Sequence, residues 1–182
     1  MMLHFRAPAF FCVEKDKRNI FVLRTSRKPM IQRATTDNLD EIRALFRETV
    51  LTATAQAYDE HQRLAWASGW AGQARWEQRL REQYFLVTKQ KGQLVGFASI
   101  RPDGYLDVLY VHRDFQRQGI ARKLYEELEA EARRSGVAWL ETDASITARP
   151  FFEKMGFAVL AEQQKAISAV VLTNYRMRKT LL

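Results

Sequence analysis

The sequence predicts a mixed fold, α/β or α+β, in which a central sheet is flanked by helices. Three observations carry that reading. Short apolar runs such as Phe85–Lys89 and Leu94–Ile100 alternate in the manner of strands. One long segment places Ala121, Leu124, Tyr125, Leu128 and Ala132 at helical spacing. The order of elements from residue 85 onward reads β-β-β-α-β-α-β-β, which interleaves strands and helices.

Taken in order, Ile31–Arg33 is a short strand. Thr36 or Asp37 can cap a helix through Arg47, with Leu39, Ile42, Leu45 and Phe46 on one face. Asp59 caps a second helix, with Leu64 and Ala67 inward and Trp66 near an edge. Trp76 and Leu80 suggest a further helical turn or two. Lys91-Gly92 turns between the strands Phe85–Lys89 and Leu94–Ile100, and Arg101–Gly104 is a second turn. Tyr105–Val111 is a strand, and Gly136 stops the long helix that follows it. Trp139–Thr142 is a strand, Ala148–Lys154 a short helix ended by Gly156, and Phe157–Glu162 with Val170–Lys179 a closing strand pair.

The 182 residues suffice for one domain with a substantial core. No run approaches the roughly 20 apolar residues of a membrane span. Cys12 is the single cysteine, so no disulfide forms within the chain, which fits a reducing compartment such as the cytoplasm. The formal charge of +8 raises a nucleic-acid reading, but its distribution argues against one. Residues 1–29 hold Arg6, Lys15, Lys17, Arg18, Arg24, Arg27 and Lys28 against Glu14 and Asp16, which is +5 and leaves +3 for residues 30–182. The expected organisation is therefore a basic extension over 1–29, outside the fold, and one domain over 30–182. Three scattered histidines and one cysteine offer no credible metal set.

The informative stretch is LDVLYVHRDFQRQGIARKLYEELEAEARRSG, Leu106–Gly136. A strand ends in a basic turn, and a glycine opens the long helix. The first amides of a helix have no partner within it, and the macrodipole adds partial positive charge there. Gly119 allows close backbone approach, and Arg117 and Arg122 add fixed charge. Together they make an anion site suited to a phosphate or pyrophosphate. The pattern is neither a P-loop nor a dinucleotide glycine motif.

Gln116-Arg117-Gln118-Gly119-Ile120-Ala121 resembles the [R/Q]-x-x-G-x-[G/A] loop of the GNAT N-acetyltransferase superfamily. The strand AWLET and the segment ARPFFEKMGF follow it at the separation that superfamily shows, and the resemblance extends over about residues 30–182. The phrases SITARPFF and NYRM-x-K-x-L are similar to its YafP-like branch.

The resemblance implies a central sheet splayed between two strands, 105–111 and 139–143, with acetyl-CoA in the gap. By match, the pyrophosphate lies on the amides of Gln118, Gly119, Ile120 and Ala121, near Gln116, Arg117 and Arg122. The backbones of Leu109 and Val111, with Tyr110 between them, pair with pantetheine, and the Val111 amide stabilises the oxyanion. Ser145 stands where many members have Asn, and Phe152 where the family usually has a tyrosine that protonates the leaving thiolate. A phenyl ring cannot donate that proton, so Tyr175 and Tyr58 are the substitutes considered. Glu141 matches a position used as the base in some members, with Asp107 and Asp143 as rivals. The alternative for Asp107 is a structural partner for an arginine or a turn amide. Trp66, Trp70 and Trp76 fall in the segment that shapes the acceptor pocket and would favour an apolar or aromatic amine.

The implied function is acetyl transfer from acetyl-CoA to a primary amine by direct attack in a ternary complex. The implied partners are those two substrates, with no metal, nucleic acid or membrane, and a homodimer is compatible. The rival readings are an acyl-CoA-binding module without transfer activity and an interaction protein acting through its basic tail.

Overall fold

The runs Phe85–Thr88 and Leu94–Ile100 are buried at every residue, because both faces of their sheet are covered. The computed structural model describes residues 13–15, 21–23, 30–68, 72–167 and 169–181. Its strands are β1 (Val13–Lys15), β2 (Phe21–Leu23), β3 (Met30–Arg33), β4 (Tyr84–Gln90), β5 (Gln93–Ile100), β6 (Leu106–Val111), β7 (Trp139–Ser145), β8 (Ala158–Ile167) and β9 (Val170–Thr180). Its α-helices are α1 (Leu39–Ala53), α2 (Glu60–Ser68), α3 (Gln73–Glu82), α4 (Ile120–Arg134) and α5 (Arg149–Lys154). β1 and β2 pair only with each other. The remaining strands form two antiparallel sheets, ordered β3-β4-β5-β6 and β7-β9-β8. The sequence-based expectation of a mixed sheet with flanking helices is met.

Each face of the larger sheet has its own core. On one side α4 packs Ile120, Leu124, Tyr125, Leu128 and Ala132 against Leu86, Val95 and Ala98. On the other, α1 and α3 bring Ile42, Leu45, Phe46, Val50 and Trp76 onto Phe85, Val87, Phe97 and Val108. Full burial of such side chains contributes about 1.5–3 kcal/mol each, so the sheet is clamped from both sides.

The two sheets meet at β6 and β7, and the contact is short. Tyr105 and Glu141 form a single parallel bridge. The Glu141 amide donates to the Gly104 carbonyl at 3.1 Å, and the Thr142 hydroxyl to the Leu106 carbonyl at 2.9 Å. Gly104 makes this approach sterically feasible. Its φ is +88°, and a Cβ there would stand 2.5 Å from the Trp139 carbonyl oxygen. Beyond these contacts, among the described residues, β6 pairs only with β5, and β7 only with β9. The strands diverge, and a V-shaped gap opens toward their C-terminal ends.

Several elements differ from the sequence-based reading. A 3₁₀ turn, Thr36–Asn38, precedes α1, and the Thr35 amide donates to Asn38 Oδ1 at 3.1 Å, so the helix begins at Leu39. Asp59 does cap α2, its Oδ1 accepting from the Gln62 amide at 2.8 Å. Yet α2 buries no residue, and Leu64 is 49% exposed. The helix is held through polar groups instead, Gln62 Nε2 donating to the Val171 carbonyl at 2.9 Å. β8 runs on to Ile167 rather than ending at Glu162. It is an edge strand with almost every side chain in water, so it carries no apolar alternation to read.

Candidate active site

The gap between β6 and β7 is the floor of a cavity of about 530 Å³. Its walls come from four sources: β6 (Leu106–Val111), the loop and first turn of α4 (Phe115–Arg117 and Gly119–Arg122), β7 with α5 (Thr142–Ser145, Phe151, Phe152, Lys154, Met155), and the end of α1 (Thr49, Ala53, Thr54) with Trp66.

The β6 edge offers unpaired backbone to this cavity. The His112 amide bonds to the Val95 carbonyl on β5 at 2.9 Å. Alternation along an antiparallel strand then turns the amides of Leu109 and Val111 toward the gap. At the mouth, Gly119 caps α4 with φ +79°, and Arg117 holds φ +61°, a conformation that costs a non-glycine residue about 1 kcal/mol or more. A Cβ at Gly119 would touch nothing within 4 Å, so open space lies over that amide. Arg117, Arg122 and Lys154 set three cations around this end. Unpaired amides, a helix N-terminus and cations form a donor set suited to a pyrophosphate, and the exposed β6 edge suits an amide-bearing chain.

Eleven of the twelve residues expected to bind the donor line this cavity: Leu109, Tyr110, Val111, Gln116, Arg117, Gly119, Ile120, Ala121, Arg122, Ser145 and Phe152. Gln118 does not, because its side chain turns back to the Asp114 carbonyl at 3.2 Å. Phe152 is 3% exposed and packs edge-on against Phe151 and Phe157. Ser145 Oγ accepts from the Ala148 amide at 3.1 Å.

The expected catalytic groups separate. Glu141 lies outside the cavity wall, in a polar depression with Arg101, Lys165 and Arg176. β7 extends to Ser145, so Glu141 sits at the closed end of the V instead of at its opening. Arg178 Nε donates to it at 2.7 Å and Arg176 Nη2 at 3.2 Å. The Arg178 hydrogen bond foremost, with help from Arg176 and against a desolvation cost, holds its carboxyl below the ordinary value. Such a group is a poor proton acceptor. Tyr175 is also absent from the wall. It lies on β9 with the Arg149 guanidinium 4.5 Å from its ring centre. Tyr58 is locked, its hydroxyl donating to the Thr173 carbonyl at 2.7 Å and accepting from the Ile146 amide at 2.9 Å. Burial pushes its phenol up.

Two acidic residues border the cavity. Asp143 accepts from Gln163 Nε2 at 3.0 Å and pairs with Lys165 at 3.1 Å. Asp107 sits where the β5–β6 register shifts, opposite no residue of β5. Its carboxylate accepts from Arg79 Nε and Gln83 Nε2, each at 2.7 Å, and its side chain is 17% exposed. The arginine partner anticipated for Asp107 is therefore present, and the residue borders both the cavity and a second depression formed with Arg79 and Gln83. Trp66 lines the cavity beside the end of α1, Trp76 is buried in the core, and Trp70 lies outside the described residues. The contributions of Thr49, Thr54, Phe115 and Lys154 were not read from sequence, because nothing local marks them. Among the described residues no cluster suits a metal ion, and no helix is long and apolar enough to cross a membrane.

Comparison with known proteins fits this geometry. Residues 54–179 match the family model described as acetyltransferase (GNAT) domain. The chain is 33% identical over 142 residues to an N-acetyltransferase of Escherichia coli K12, YafP, described as uncharacterized, covering 78% of this chain and 89% of that one. A GCN5-related N-acetyltransferase from Rhodopseudomonas palustris superposes with a TM-score of 0.80 at 33% identity, over 84% of this chain and 96% of that one. PaiA N-acetyltransferase from Thermoplasma acidophilum, solved with coenzyme A, gives 0.70 at 18% identity over 84% and 99%, a likeness of fold.

Proposed function

Because the chain belongs to the GNAT acetyltransferase family, we propose that it transfers the acetyl group of acetyl-CoA to a primary amine by direct attack in a ternary complex. The observation that carries this reading is the V-shaped gap between β6 and β7, with the cationic, glycine-capped start of α4 at its mouth.

Acetyl-CoA supplies the activated acyl group. The amides of Gln118, Gly119, Ile120 and Ala121, with Arg117, Arg122 and Lys154, hold its pyrophosphate. The β6 edge at Leu109 and Val111 receives the pantetheine arm, and the Val111 amide donates to the thioester oxygen as negative charge develops there. The acceptor enters beside Trp66, Tyr110, Thr49 and Thr54, on the other side of the gap. Asp107 holds its ammonium and, directly or through one water, takes the proton that must leave before attack. Nitrogen then bonds to the acyl carbon, the C–S bond breaks, and sulfur leaves with its electron pair. The new amide nitrogen sheds a second proton, and the thiolate takes one up. Net, one ammonium and acetyl-CoA give one amide, CoA–SH and one proton. With Phe152 in the wall, the hydroxyls of Ser145 and Thr147 and the ammonium of Lys154 are the donors this side of the cavity offers to solvate the thiolate.

The test is CoA release by the full chain over a panel of primary amines, alongside calorimetric titration of acetyl-CoA. Turnover with one or more amines supports transfer. Tight acetyl-CoA binding without turnover favours an acyl-CoA-binding module, the reading that Phe152 keeps open. Residues 30–182 are assigned as the catalytic unit, so removal of 1–29 leaves acetyl-CoA affinity unchanged. A cytoplasmic setting and a homodimer complete the reading, checked by fractionation and light scattering.

A further inference from the structure

Asp107 is backed by a polar network that the packing of the fold does not call for. Its Oδ2 accepts from both Arg79 Nε and Gln83 Nε2 at 2.7 Å, whereas Oδ1 receives only a long 3.4 Å approach from Arg79 Nη2. The Gln83 amide is itself fixed, because the Ser99 hydroxyl donates to its Oε1 at 2.6 Å. A hydroxyl on the oxygen end leaves the nitrogen end to face the carboxylate. Ser99 is 0% exposed and Arg79 6%. The Arg79 guanidinium lies 5.3 Å from the Trp76 ring centre, and Trp76 packs against Phe46 and Phe97.

Thus α3, the α3–β4 junction, β5 and β6 each send one polar group to the border of an aromatic core. Burying such groups costs desolvation, and well-packed apolar residues of similar volume commonly serve stability as well or better. What the network does achieve is orientation. Both short bonds fall on Oδ2, which leaves Oδ1, with its single 3.4 Å contact, the less engaged oxygen of a residue that borders both the cleft and a second depression shared with Arg79 and Gln83. Gln83 adds its donor to the carboxylate without adding charge.

We propose that Arg79, Gln83 and Ser99 are positioning residues that hold Asp107 with Oδ1 presented to the acceptor's nitrogen. The inference rests on the transfer reading above. Asp107 touches the substrate; Arg79 and Gln83 act through Asp107, and Ser99 acts through Gln83. The arrangement selects amines that enter as a primary ammonium, since Oδ1 then accepts one N–H while two remain for water or the neighbouring hydroxyls of Thr49 and Thr54.

The experiment compares the full chain with Asp107→Asn, Gln83→Met, Ser99→Ala and the Asp107→Asn/Gln83→Met double variant. The acceptor probes are 2-phenylethylamine and Nα-acetyl-lysine. Turnover is read by CoA release, amine binding by titration into the CoA-loaded protein, and donor binding by titration of acetyl-CoA. Asp107→Asn is expected to lower kcat/KM for the amine about 100-fold. Gln83→Met and Ser99→Ala are expected to lower it about 10-fold, with acetyl-CoA affinity within about twofold. The double variant is expected to be no worse than Asp107→Asn alone, because a positioning effect vanishes once its target is gone. Multiplying losses in the double variant, or silent Gln83→Met and Ser99→Ala, overturn the positioning role while leaving Asp107 in place. Wild-type activity in Asp107→Asn overturns the role of Asp107 itself. Acetyl-CoA binding with neither binding nor turnover of the amines overturns the transfer reading with it. Should Gln83→Met fail to fold, Ser99→Ala combined with Asp107→Asn carries the same comparison.

Discussion

Thr142 on β7 donates its hydroxyl to the carbonyl of Leu106 on β6 at 2.9 Å, and it does so from a fully enclosed position, 4% exposed. This bond, with the Gly104–Glu141 backbone contact, is what joins the two sheets at the closed end of the cleft. Replacing Thr142 by Val keeps the volume and strands a buried carbonyl. The expected cost is about 1–3 kcal/mol, read by denaturant unfolding, with weaker acetyl-CoA binding as the strands lose their fixed separation. Unchanged stability and affinity would show that the backbone contacts alone set the gap.

Gly119→Glu tests the mouth of the cleft. The new side chain meets open space but carries negative charge to the place assigned to the pyrophosphate, and φ of +79° strains any L residue. The strain is expected to cost about 1 kcal/mol and the charge to weaken acetyl-CoA at least about 100-fold. Gly119→Ala isolates the strain, so calorimetry on both variants separates the two causes.

Glu141→Gln is expected to keep CoA release within about threefold of the parent, far from the 10²-fold or greater losses of a removed general base. Its folded carboxyl is held below the ordinary value by Arg178 and Arg176. The stability it adds is therefore present above the unfolded value and fades as pH falls through the folded one. The variant should lose stability near neutral pH and show a shallower decline in acid. A large loss of turnover at preserved stability would return Glu141 to the chemistry.

Glu129 gives a clearer acid signature. Burial alone would raise its carboxyl, but hydrogen bonds from Lys179, Tyr125 and Arg133 outweigh that and hold it at about 2, from 4.5. Its contribution, on the order of 2 kcal/mol, is complete above pH 4.5 and disappears as pH falls toward 2. Urea unfolding between pH 6 and pH 2.5 should show a steeper acid decline for the parent than for Glu129→Gln.

Trp66 packs edge-on to Tyr58 at 5.4 Å and lines the cleft where the acceptor is proposed to enter. Trp66→Ala should raise KM for aromatic amines about tenfold while leaving KM for acetyl-CoA unchanged. Equal effects on aromatic and aliphatic amines would assign the ring to packing.

The sequence was most legible where one segment carries both structure and chemistry. Gln116–Arg122 announces its turn, its helix start and its charge within seven residues, and all but the Gln118 side chain line the cavity. α4 was equally plain, since its apolar stripe repeats over four turns. The acid–base groups were harder to place because their setting depends on partners far along the chain. Glu141 looks free until Arg176 and Arg178 arrive from β9, two strands later. Asp107 interrupts an otherwise apolar strand, which marks it without placing it. Its network draws on Arg79, Gln83 and Ser99, three positions with no shared local pattern. β8 was cut short because a strand with most of its side chains in water leaves no hydrophobic period.

The separation of β6 from β7 has a mechanical consequence. Backbone pairing between the four-stranded and the three-stranded sheet is confined to the Tyr105–Glu141 corner, and elsewhere the two are joined by the shared core and by contacts from α2 and α4 to β9. A donor whose amide-bearing arm lies along β6 acts as a keystone, bridging the two sheets across the gap and adding to the coupling that the shared core already supplies. Hydrogen exchange at Leu109 and Val111 should then slow on loading together with exchange in β9, which the donor never touches. The cleft would thus serve as the joint through which substrate strengthens the cooperation of the two halves.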